Sequence, residues 1–219
     1  PKTPKPRHFD CSNIKMIKTT LAIAAVNARL TPGSCDDVKM IADFDKSRYV
    51  GKWFEQARDK LNPYSISADC ITKEYALNDQ GDVDLYFRGF YGLMQKYTGV
   101  NGCLYQCDEG SPDTWTCQAT MGGGSHRIPF GIFDTDYETY DIMYSCENHA
   151  AGFLKNEMFS VSTRDENPSK ETMDAIKKVI AKKIPQYDLD KAWGLSHDHQ
   201  GASCDYEWHF DHSDDELEE

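Results

Sequence analysis

The sequence predicts an all-β antiparallel body followed by one amphipathic helix. Between residues 49 and 164, short runs alternate polar with aromatic or β-branched residues, and Gly, Asn and Asp break them. The runs recur every 8 to 12 residues or so, which suits an antiparallel barrel or sandwich better than βαβ units. A single stretch of helical period comes only after the last run.

The segments in chain order justify this reading. Residues 1–13 are basic and Pro-rich, and Ile14, Ile17, Leu21, Ala24 and Ala28 then recur at helical spacing. MIKTTLAIAAVNA, with a Lys before it, looks like a signal-peptide core. Residues precede it, so it is read as a short amphipathic helix packing on the body or on a partner; an uncleaved signal is the rival. Candidate strands follow at 49–58, 69–77, 83–89, 94–100, 103–107, 114–121, 126–133, 139–146 and 157–164, with turns at NDQG and DEGSPD. Asn167 is placed as helix cap with Pro168 at the first position, and Met173, Ile176, Val179 and Ile180 form the apolar stripe. Lys177, Lys178, Lys182 and Lys183 suit the C-terminal dipole, and the helix should stop before Pro185. The expected organisation is an N-terminal extension (1–34), the body with its helix (35–204) and an acidic, mobile tail (205–219).

Composition narrows the function. Lys plus Arg number 24 against 36 Asp plus Glu, giving a net charge of -12, so nucleic acid and anionic membranes have no electrostatic attraction to this chain. Its longest strongly apolar stretch, residues 21–28, is far short of the roughly 20 residues that span a bilayer. No GxSxG, HExxH or Gly-rich phosphate loop occurs, and MGGGSH reads as a turn. The expectation is a binding protein without catalysis or a required cofactor. An isomerase or synthase using a thiol at Cys103, Cys107 or Cys117 is the enzymatic alternative.

Eight Cys without a CxxC pair point to disulfides, hence to a protein that is secreted or lies in another oxidising extracytosolic compartment. Sequence alone leaves 105 pairings open. His197, His199, His209 and His212 in the acidic tail suit either weak divalent-metal binding or plain surface decoration.

DFDKSRYVGKWF at 43–54, the acidic turn within FDTDYETYDIMYSC at 133–146, and Arg164 ending the last strand run together resemble the three shared motifs of the lipocalin family. The resemblance covers about 35–204 and implies an eight-stranded up-and-down barrel with the helix packed outside. It also implies that Gly51 and Trp53, then Thr135, Asp136 and Tyr137, then Arg164 meet at one closed end. NPYSISADCITKEY at 62–75 and the late SCDY are similar to the branch containing apolipoprotein D and invertebrate pigment-binding proteins such as crustacyanin. That branch implies Cys35 with Cys146 and Cys70 with Cys204. Cys103 and Cys107, about 13 Å apart on an extended strand, cannot join each other; Cys117 and Cys11 are their candidate partners. A Cys11 without an internal partner would offer an intermolecular bond, so a homo- or hetero-oligomer through it or the N-terminal helix is expected as an option.

The same resemblance implies an interior that holds an apolar small molecule: a carotenoid, bilin, retinoid or sterol-like guest. Tyr75, Tyr86, Phe90, Tyr97, Trp115, Phe130, Tyr140 and Tyr144 are the candidate aromatic wall, as either lining or core filling. A structural subunit with a filled, ligand-free barrel is the alternative.

Overall fold

The computed structural model describes residues 30–35, 38–41, 44–58, 68–79, 81–106, 115–121, 124–128, 131–185 and 200–210. Its strands are β1 (Thr31–Pro32), β2 (Gly51–Arg58), β3 (Ala68–Leu77), β4 (Val83–Tyr91), β5 (Lys96–Gln106), β6 (Trp115–Met121), β7 (Gly124–Ile128), β8 (Gly131–Thr135), β9 (Tyr140–His149) and β10 (Leu154–Thr163). Two helices, α1 (Lys46–Tyr49) and α2 (Lys170–Lys183), complete the fold. All pairings are antiparallel, in the order β7-β6-β5-β4-β3-β2-β10-β9-β8, with β1 added beside β10.

This corrects the expected closed eight-stranded barrel. The hydrogen-bonded path has nine strands and two free ends, with β1 as the tenth strand beside β10, and among the described residues no ladder joins those ends. The run 126–133, expected as one strand, contributes to both ends of this path: β7 pairs with β6 and β8 pairs with β9, and residues 129–130 lie outside the described residues. The sheet is nevertheless strongly curled. Seven strand steps separate β6 from β8 along the path, about 34 Å if flat, yet their Cα atoms approach within 8 Å.

Two further differences are local. The runs 94–100 and 103–107 are one strand, β5, because Gly102 pairs opposite Leu85 without breaking the ladder. The helix cap is Ser169, whose hydroxyl accepts from the Thr172 amide at 3.1 Å, while the Asn167 amide bonds Asp165. The helix does end before Pro185, and Ile176 and Ile180 bury on the outer face of the sheet with Phe133, Tyr144, Phe159 and Val161.

One end of the curled sheet is knotted as expected. The Arg164 guanidinium lies 3.7 Å over the Trp53 ring and donates to the carbonyls of Lys52, Arg48 and Tyr137 at 3.0 to 3.1 Å. Such a stacked cation contributes about 0.5 to 2 kcal/mol. Gly51 has φ +97°, and a Cβ there would stand 3.0 Å from the Arg164 Nη1, so only glycine fits under that side chain. The Asp136 carboxylate collects the amides of Glu138, Thr139 and Tyr140, fixing the turn that carries Tyr137. Both implied disulfides are present, Cys35–Cys146 and Cys70–Cys204, which places the protein in an oxidising, extracytosolic setting. Cys11 and Cys107, the N-terminal segment, and the side chains of Cys103 and Cys117 lie outside the described residues.

Candidate functional site

Strand alternation sorts the side chains onto two faces. The inner face at the Trp53 end is apolar and filled: Tyr49, Trp53, Tyr75, Val83, Leu85, Leu104, Ile132, Met143 and Met158 form one buried cluster. Beyond it the inner face turns ionic. A register shift opposite Val161 and Ser162 inserts Gln56 as an extra residue in β2, so Glu55 pairs with Ser162 and Arg58 with Ser160. Both Glu55 and Arg58 therefore point inward, where plain alternation would separate them.

Lys73, two residues before Tyr75 on β3, joins them. Its ammonium lies 2.9 Å from the Glu55 carboxylate and donates to Ser160 and Ser162 hydroxyls at 2.6 and 2.9 Å. Arg58 bonds the same carboxylate at 3.3 Å and the Ala68 carbonyl at 2.6 Å. Ser160 also donates to Glu55. All of these groups are buried. Burial pushes the Glu55 carboxyl up, but Lys73, Arg58 and the Ser160 hydroxyl outweigh it and hold it below the ordinary value.

Among the described residues, Tyr49, Thr98, Asp141, Ser145 and, at the far end of β9, His149 carry buried polar atoms without a hydrogen-bond partner. Asp141, the ladder partner of Ser162, has both oxygens in this state, beside the Tyr49 hydroxyl. Burial raises its carboxyl to about 6 against the pull of Lys73. The Tyr49 phenol is driven well up by burial and by Asp141. Ser145 and Thr98 lie farther from the Trp53 end, on β9 and β5. Among the described residues, no cluster of three or more His, Cys, Asp or Glu could hold a metal ion.

A curled antiparallel sheet with this Trp–Arg knot and an outer helix has a clear counterpart. Residues 50–191 match the Lipocalin / cytosolic fatty-acid binding protein family. The chain belongs to this family. Insecticyanin-B of Manduca sexta is 29% identical over 197 residues, covering 85% of this chain and 89% of its own. Apolipoprotein D of Bos taurus is 27% identical over 119 residues, 52% of this chain and 58% of its own. Lobster apocrustacyanin A1 superposes with a TM-score of 0.64 at 22% identity, covering 80% of this chain and 93% of that one. Family membership bears out the reading of a binding protein and not an enzyme.

Within this lipocalin, the eight aromatic candidates fall on different surfaces. Tyr75 is on the inner face, fully buried, with its ring 4.8 Å from Tyr49. Tyr140 and Tyr144 face outward under α2; Tyr144 donates to Glu157 and Tyr140 to Asp134. Tyr86, Phe90 and Tyr97 are also on the outer face, as their ladder partners show. Phe130 and the side chain of Trp115 lie outside the described residues.

What covers that outer face is the segment 200–210, whose residues 205–210 open the tail expected to be mobile. Tyr206 and Trp208 pack edge-on against Phe54, His209 stacks on Tyr86 at 4.5 Å, and Arg88 pairs with Asp205 and Glu207. Glu74 accepts the amides of His209 and Phe210. His209 is thereby held by stacking; the other three tail histidines lie outside the described residues. The described helices contain none long and apolar enough to cross a membrane.

Sequence reasoning missed Glu55, Arg58, Lys73, Asp141 and Ser145. A signal existed for Lys73, because a strand with Tyr75 inward must turn Lys73 inward too. None existed for Arg58, whose direction depends on the bulge at Gln56.

Proposed function

We propose that this lipocalin is an extracellular carrier of a small hydrophobic molecule held against the concave face of its curled sheet. The observation that supports this is the inner face itself. It combines a buried apolar floor with buried hydroxyls that have no partner among the described residues. Removing apolar guest surface from water there would supply about 25 cal/mol per Å2. A retinoid, carotenoid, bilin or sterol-like molecule fits that chemistry, and the family description names fatty-acid binding. Of the aromatic candidates, Tyr75 belongs to this proposed wall, joined by Phe87 and Tyr91 from β4. Assembly through the N-terminal segment or Cys11 remains part of the proposal, with no bearing on the guest.

The ligand-free alternative has its own support in the tight packing of Tyr49, Trp53 and Tyr75 at the knotted end. Retinol titration separates the two. The carrier reading expects saturable quenching of tryptophan emission with one site and a micromolar or tighter constant, roughly 8 kcal/mol or more. Linear, unsaturated partition of retinol would support the filled subunit.

A further inference from the structure

We infer that the guest carries an uncharged oxygen head group, a hydroxyl or carbonyl. This deepens the carrier reading and rests on it. Two observations lead here.

The first is the position of the unpartnered atoms. Ser145 is 3% exposed, its Oγ makes no hydrogen bond among the described residues, and its ladder partner Met158 belongs to the inner apolar cluster. Thr98, paired with Gly89 on the same face, has an Oγ1 in the same condition. A buried hydroxyl without a partner is costly, and a guest oxygen that accepts a hydrogen bond from it would relieve it.

The second is the state of the neighbouring charges. Lys73 spends its three protons on Glu55, Ser160 and Ser162, and Glu55 is shared with Arg58. An ionic head group would have to lose its water and then displace one of these bonds. A neutral oxygen needs only the hydroxyls.

The test is competition against bound retinol at pH 8 by three probes with one tail: dodecan-1-ol, dodecane and dodecanoic acid. Dodecan-1-ol should compete about tenfold better than dodecane, the factor one hydrogen bond supplies, and better than the ionised acid. Ser145→Ala should bring alcohol and alkane within about twofold of each other while leaving dodecane unchanged. Thr98→Val is the second variant, and a denaturant melt of each confirms the fold. Equal competition by alcohol and alkane, an unchanged ratio in both variants, or preference for the acid would overturn the inference. Failure of retinol itself to bind would instead remove the carrier reading beneath it.

Discussion

Glu55→Gln should lower the unfolding free energy by about 3 to 5 kcal/mol at pH 7, because it strips two buried cations of their shared carboxylate. Lys73 and Arg58 are each within 3.3 Å of that group, and all three side chains are no more than 5% exposed. The loss comes from leaving charge uncompensated in a low-dielectric interior, and not from the intrinsic worth of the pair. A double variant, Glu55→Gln with Lys73→Met, should therefore recover part of the deficit. Urea unfolding of the three proteins checks this. A Glu55→Gln cost under about 1 kcal/mol, the range of exposed pairs, would show that the cluster is solvated.

Asp141→Asn should act in the opposite direction. The folded carboxyl titrates at about 6 against 3.8 for the free group. Between those values the folded protein binds more protons than the unfolded chain, so this residue's contribution falls as pH rises from about 4 to 6 and stays low above that. The span corresponds to roughly 3 kcal/mol at 1.4 kcal/mol per unit. Asparagine keeps the size and lacks the charge. The variant should match the parent near pH 4 and exceed it by about 1 to 3 kcal/mol at pH 8. Denaturant midpoints at the two pH values are the measurement. Equal destabilisation at both would mean that ionised Asp141 is a favourable partner of Lys73. Glu55 follows the contrary sign: its depressed carboxyl supports the fold at neutral pH and is lost on acidification.

Much of the fold could be read from residues alone. The end of α2 follows from local chemistry that acts over a few positions, whereas the Trp53–Arg164 knot, the Asp136 turn and both described disulfides were implied by the family resemblance that the motifs carry. Closure of the sheet did not follow, because period-two alternation sets which face a side chain takes and not whether the two ends of the strand path pair with each other. The site was less legible for a related reason. Side-chain direction inverts at every bulge, and the sheet has register shifts in the β2–β10, β3–β4 and β8–β9 pairs. Aromatic content marked buried surface well but could not say which side of the sheet was buried. The outer face is covered too, by α2 and by the segment 200–210, so Tyr144 and Tyr86 found shelter there. Lys73 and Glu55 went unnoticed because charged residues in a strand usually mark the solvated side.

The account stands or falls on whether a guest occupies the concave side. Native mass spectrometry of protein purified from its natural source, before and after organic extraction, reads this directly. The expected result is a mass above that of the oxidised chain by one apolar small molecule, removed by extraction and restored by adding the extract back. A spectrum showing the bare chain mass before extraction, with no adduct formed on adding retinol, would contradict it.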